Sequence, residues 1–257
     1  MSEDLKIERE CDGALAILTL DRPEAMNALS KGLRRGLCEA FDALAGEARV
    51  VILTGRGRAF CAGLDLKELG DPAGSGARLD GGSELVNAVA GFPGPVIGAI
   101  NGFAITGGFE LALACDVLLA SSEARFADTH ARVGIMPGWG LSQKLSRAVG
   151  IYRAKEISLT GNFLSAEQAE AWGLVSRVVP PAALLDEARA LAQDMLSCVP
   201  EVLCGYKAVI DQGFAGTFED GLVLESRVAG EHARSVRPEA IAERRRGVIE
   251  RGRRQGS

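Results

Sequence analysis

One titratable side chain stands out for its setting: Glu110, just after Gly107-Gly108. Glu110 falls within Asn101-Gly-Phe-Ala-Ile-Thr-Gly-Gly-Phe-Glu-Leu-Ala-Leu-Ala-Cys-Asp116. The apolar run 95–100 ahead of it reads as a buried strand, Asn101-Gly102 as a turn, and the Leu- and Ala-rich run 108–114 as a helix. A helix start gathers free N–H groups and the positive end of the dipole, and small residues let another atom approach the backbone. Such a place suits a developing oxyanion, with a carboxylate alongside to move a proton. A plainer reading stands beside this one: a first-turn glutamate complements the helix dipole, and paired glycines permit tight packing.

A second glycine-punctuated stretch, Gly55-Arg-Gly-Arg-Ala-Phe-Cys-Ala-Gly-Leu-Asp-Leu-Lys-Glu68, follows the apolar strand 50–54 and runs into another helix start. Two such loops must be carried by a larger scaffold, and the rest of the chain supplies one. Segments 5–9 and 13–20, split by Asp12-Gly13, read as a β-hairpin. Ser30 is a plausible N-cap for a helix over 31–45. Residues 70–83, rich in Gly, Asp and Ser, read as a loop. A helix near 84–91 and a strand at 116–120 complete an alternation of strands and helices. The strands are continuous apolar runs, which points to an α/β fold with parallel strands buried on both faces. From Trp139 onward helical patterns dominate, over 140–149, 151–158, 165–172, 182–198, 200–212, 217–232 and 238–252, with only 174–179 strand-like. This places an α/β core at 1–195 and a helical appendage at 196–257.

Composition limits the function classes. Apolar residues make up 47% and charged residues 25% of the chain, enough for a sizeable core in an ordinary globule. A net charge of −5 argues against a general nucleic-acid surface. The uncharged run 85–109 is long enough to span a bilayer, but Pro93, Pro95 and six glycines inside it make it a strand-and-turn region, not a membrane helix. The first residues carry no apolar signal segment, and the six cysteines show no C-x-x-C pair; they read as reduced, mostly buried residues of a cytoplasmic protein. Two histidines without an H-E-x-x-H pattern argue against a metal site, and none is expected. Six arginines within 243–254 read as a solvated helix face, or alternatively as a contact for a phosphorylated ligand or a neighbouring subunit.

Taken together, Asn101-Gly-x-Ala-x-x-Gly-Gly-x-Glu-Leu-Ala-x-x-Cys-Asp116 and Gly57-x-Ala-Phe-Cys-Ala-Gly-x-Asp-Leu-Lys67 resemble the enoyl-CoA hydratase/isomerase (crotonase) superfamily. Asp21-Arg-Pro-x-x-x-Asn-Ala-Leu29, Pro137-Gly-x-Gly140 and Ala169-x-x-x-Gly-Leu-Val175 follow the same pattern, so the resemblance spans nearly the whole chain. It implies a crotonase-like spiral of ββα repeats, closed by a helical C-terminal region that builds homotrimers, commonly paired as hexamers. It implies an acyl-CoA substrate whose thioester carbonyl lies between the backbone N–H groups of Leu64 and Gly107. Ala62, Leu66, Lys67, Gly108 and Trp139 match substrate- and CoA-lining positions. No separate cofactor is implied, since coenzyme A enters as part of the substrate, and neither nucleic acid nor membrane is a partner.

The resemblance also contains a departure. Glu110 matches one of the two catalytic glutamates of hydratases, but the residue matching the second is His130. The chain is therefore expected to hydrate the 2,3 double bond of an enoyl-CoA, with Glu110 as base and His130 as acid or water-positioner. Two other outcomes stay open from sequence: an isomerase using Glu110 as its single base, or an acyl-CoA binding protein with little catalysis. His130 itself reads equally as a loop residue beside Asp128, His232 as a surface residue and Cys61 as a packing residue.

Overall fold

The computed structural model describes residues 3–69 and 82–255. The loop expected over 70–83 lies outside the described residues except at its last two positions.

Among the described residues, ten strands form two sheets: β1 (Leu5–Glu10), β2 (Leu15–Leu20), β3 (Val50–Gly55), β4 (Ala59–Cys61), β5 (Val96–Ile100), β6 (Phe103–Ile105), β7 (Val117–Ser121), β8 (Arg125–Ala127), β9 (Leu164–Ser165) and β10 (Arg177–Val179). The larger sheet has the order β1-β2-β3-β5-β7-β10 and the smaller β4-β6-β8-β9. Only β1–β2 and β8–β9 pair antiparallel; every other pairing is parallel. The consecutive pairs β3/β4, β5/β6 and β7/β8 each give one strand to each sheet, so the chain spirals through three ββα turns. The α/β fold with parallel strands is as the sequence leads one to expect.

The large sheet is buried on both sides. Leu15, Ile17, Val50, Ile52, Ile97 and Leu119 face Leu184, Ala188 and Ala192 of the helix Leu184–Leu196. The alternate residues Leu18, Val51, Leu53, Val96 and Ile100 face the main core with Phe41, Phe60, Phe109 and Phe126. A period of two with both faces covered produces the unbroken apolar runs. Burying each such side chain contributes about 1.5–3 kcal/mol. The helix Lys31–Leu44 adds Leu33, Leu37, Phe41 and Leu44 from one face, and Ser30 Oγ caps it by accepting the Leu33 N–H at 3.1 Å.

The small sheet positions the site. Its adjacent parallel strands β4, β6 and β8 run into the helices Leu66–Leu69, Gly107–Ala112 and His130–Val133. Three helix starts therefore gather beyond the carboxyl ends of neighbouring strands, where open α/β sheets place their ligands.

Among the cysteines only Cys61 is buried. Cys11 and Cys198 are exposed and the other three half-buried, which corrects the expectation of mostly buried thiols: Cys11 lies in the hairpin turn and Cys198 just beyond the helix Leu184–Leu196. All six are free.

The chain divides into two compact units, Met1–Cys204 and Gly205–Ser257. The first holds both sheets. The second is helical and contains Phe218–Ala233, capped by Thr217, and Pro238–Gln255. No described helix is long and apolar enough to cross a membrane.

Candidate active site

The loop after β4 is pinned on both sides. The Leu29 N–H donates to the Gly63 carbonyl at 2.7 Å and the Asp65 N–H to the Leu29 carbonyl at 3.3 Å. Arg22 donates from Nη1 and Nη2 to Asp65 Oδ2, both at 3.1 Å, and from Nη1 to the Ala28 carbonyl at 2.7 Å. Leu64 is thereby held at the cavity wall. Among the described residues, its N–H has no protein acceptor.

After β6 the chain makes an unusual turn. Thr106 has φ 53° and ψ −110°, a conformation that costs about 1–3 kcal/mol in a β-branched residue. Its N–H is tied to the Ala127 carbonyl at 2.8 Å, and its hydroxyl accepts the Thr129 N–H at 3.3 Å. Gly107 then opens the helix Gly107–Ala112, so its N–H has no intrahelical acceptor. The two loops touch: a Cβ on Gly63, at φ 94°, would stand 3.3 Å from the Gly107 nitrogen. Small residues at both positions let the Leu64 and Gly107 amides share one cavity.

Glu110 lies one turn along that helix and is only 2% exposed. Its Oε1 accepts the backbone N–H groups of Trp139 at 2.8 Å and Leu141 at 3.4 Å. Leu141 begins the helix Leu141–Val149, so one carboxylate oxygen occupies a helix N-terminus. The other, Oε2, stands 3.7 Å from His130 Nε2. Burial raises the Glu110 carboxyl above its ordinary range; the Trp139 amide, His130 and the Leu141 amide oppose the rise, and nearby Asp128 adds to it.

His130 is 6% exposed. Its Nδ1 lies 2.7 Å from Asp128 Oδ1, which also accepts the His130 backbone N–H at 3.1 Å. Burial alone would raise the Asp128 carboxyl, but hydrogen bonds from the His130 and Ser158 side chains and the His130 backbone hold it below the usual range.

These groups border a cavity of about 610 Å³. Of the residues singled out from sequence, Ala62, Leu64, Lys67, Gly107, Glu110, His130 and Trp139 line it. Leu66 opens the short helix Leu66–Leu69. Gly108 is not part of the lining: it packs on Cys61, whose carbonyl oxygen would be 2.0 Å from an added Cβ. Arg22, Arg58 and Lys67 make one part of the wall cationic; Val133, Ile135 and Met136 make another part apolar. The Trp139 indole fills the space beside Gly107 and Gly82, where an added Cβ would lie 2.9 Å and 1.6 Å from the ring. Among the described residues, no group of three or more His, Cys, Asp or Glu side chains could hold a metal ion.

Sequence reasoning missed three supports. Asp128 drew notice only as a neighbour of His130; the clamp depends on the backbone between them. Trp139 was expected to touch substrate, yet its amide also orients Glu110. Arg22 and Asp65, 43 residues apart, carry no local signal of their pairing.

A sequence model described as enoyl-CoA hydratase/isomerase matches residues 10–248. A probable peroxisomal enoyl-CoA hydratase of Arabidopsis thaliana is 41% identical over 231 residues, covering 89% of this chain and 87% of the relative. A short-chain-enoyl-CoA hydratase of Clostridium acetobutylicum is 35% identical over 227 residues, covering 86% of this chain and 87% of the relative. The crystal structure of an enoyl-CoA hydratase from Bacillus anthracis superimposes with a TM-score of 0.82 at 34% identity, covering 89% of this chain and 90% of that one. The spiral of ββα turns is thus a crotonase fold. The chain belongs to the enoyl-CoA hydratase/isomerase family.

Proposed function

We propose that this enzyme is an enoyl-CoA hydratase, adding water across the 2,3 double bond of a trans-2-enoyl-CoA thioester. One observation carries the reading: Glu110 Oε2 and His130 Nε2, 3.7 Å apart, border the same cavity as Leu64 and Gly107. That separation is too long for a direct hydrogen bond but fits one water bridging both atoms. The thioester oxygen binds the Leu64 and Gly107 N–H groups, each contributing roughly 3 kcal/mol to the enolate-like state. The cycle starts with Glu110 ionised and the His130 ring charged: Glu110 takes a proton from the water as its oxygen bonds to Cβ, and His130 delivers its Nε2 proton to Cα as the enolate collapses, which leaves Glu110 protonated and His130 neutral. Proton transfer from Glu110 to His130 through the next water restores the starting state. Coenzyme A enters as part of the substrate, its phosphates drawn to Arg22, Arg58 and Lys67.

The names of the Arabidopsis and Clostridium relatives support the same activity. We further propose that residues 196–257 mediate self-association as a homotrimer or hexamer. The exposure of Tyr206, Ile210, Phe214, Phe218, Leu222 and Val223 supports this, since such a concentration of apolar side chains marks a surface that seeks a partner. A cytoplasmic setting is in keeping with free cysteines.

Product analysis in ¹⁸O-labelled water tests the reaction. Hydration yields a 3-hydroxyacyl-CoA carrying one heavy oxygen. A product of unchanged mass would instead establish an isomerase, and a bound, unaltered substrate a binding protein.

A further inference from the structure

We infer that Asp128 is a positioning residue: it fixes His130 in the Nδ1-protonated tautomer and so commits Nε2 to the cavity. Only what Nε2 then does rests on the hydration reading above.

The clamp has two points on one residue. Asp128 Oδ1 accepts the His130 backbone N–H at 3.1 Å and lies 2.7 Å from Nδ1. The side chains are 3% and 8% exposed, so solvent cannot substitute for either partner. In the opposite tautomer a bare Nδ1 lone pair would face a carboxylate oxygen at 2.7 Å, two acceptors with no proton between them. The network therefore assigns the proton to Nδ1. Ser158, on the helix Ile151–Thr160, adds to the stabilisation of the Asp128 carboxylate from a different element. Nε2 is left as the one ring nitrogen that meets Glu110 Oε2, at 3.7 Å. It presents a lone pair when the ring is neutral and a proton when it is charged, as a group that orients water and then protonates carbon must do.

The chain has two histidines, which makes the tautomer directly readable. In ¹⁵N-histidine-labelled protein carrying His232→Gln, the imidazole spectrum contains His130 alone. The expected spectrum of the neutral ring shows a protonated Nδ1 and a pyridine-like Nε2. Asp128→Asn, whose amide oxygen can still accept, keeps that tautomer; Asp128→Ala loses it and lowers kcat for enoyl-CoA hydration about 100-fold with little change in KM. A protonated Nε2 in the neutral ring, or a tautomer unmoved by Asp128→Ala, would overturn the assignment. The wild-type spectrum decides even if Asp128→Ala does not fold. The expected tautomer in a protein that hydrates nothing would leave Asp128's role intact and reject the reaction instead.

Discussion

The backbone N–H of Trp139 donates to Glu110 Oε1 at 2.8 Å, joining residues 29 apart in sequence. One oxygen of the carboxylate is thereby occupied by the protein, and the other is left for chemistry. The same burial that makes this arrangement rigid makes the charged form costly.

A stability prediction follows from the direction of that cost. The folded-state pKa of Glu110 is raised above 4.5 by burial, so its favourable contribution is present below the ordinary glutamate range and lost as pH rises through the raised value. Glu110→Gln keeps an acceptor for the Trp139 amide and removes the charge. Thermal denaturation is expected to show the variant more stable than wild type at pH 8 and equal to it near pH 4. A variant less stable at pH 8 would mean that the carboxylate is better solvated than its surroundings suggest.

Gly108 sets the distance between the Glu110 helix and β4. With Cys61's carbonyl oxygen 2.0 Å from an added Cβ, Gly108→Ala must displace backbone, at roughly 3 kcal/mol, and carry Glu110 with it. Gly230→Ala is the control: it lies within the helix Phe218–Ala233 with nothing within 4 Å, and should stabilise by about 0.5–1 kcal/mol. Denaturant titration of both variants measures the contrast.

Arg22 braces the loop that carries Leu64 through Asp65. Lysine cannot reproduce the forked contact to Asp65 and Ala28. Arg22→Lys should cost about 2 kcal/mol of stability and lower hydration kcat/KM about tenfold. Unchanged kinetics in a destabilised variant would show that the donor loop holds without it.

Thiol chemistry reads the burial pattern. Cys11 and Cys198 are exposed, whereas burial pushes the Cys61 thiol up to about 12. A disulfide reagent at pH 8 should modify two thiols quickly, leave Cys61 unreacted in the native protein, and reach all six in denaturant. Rapid native modification of Cys61, followed by mass spectrometry, would contradict its placement under Gly108.

Much of this was legible in the sequence because it is local. The runs of β2, β3, β5 and β7 are apolar on both faces; Ser30 caps its helix; Gly107-Gly108 marks the start that carries Glu110. What was not legible depends on distance or shortness. Strands β4, β6 and β8 have three residues each, too few to show a period, yet they align the three helix starts. Glu110's orientation needs the turn at Gly140, whose φ is 101°, and the Asp128–His130 clamp needs the backbone bend at Thr129. The glycine marks the first turn, but nothing in the sequence says that Glu110 is what it caps, and the bend at Thr129 has no residue-type signal.

The central claim is that Glu110 and His130 share one water over a thioester held by Leu64 and Gly107. Its most direct test is the absorbance of the conjugated thioester when the protein meets crotonyl-CoA, with Glu110→Gln and His130→Ala alongside. The account predicts rapid loss of absorbance with wild type and a fall of about 100-fold or more in each variant. Full activity in either variant, or binding of crotonyl-CoA by the wild type with no loss of absorbance, would contradict it.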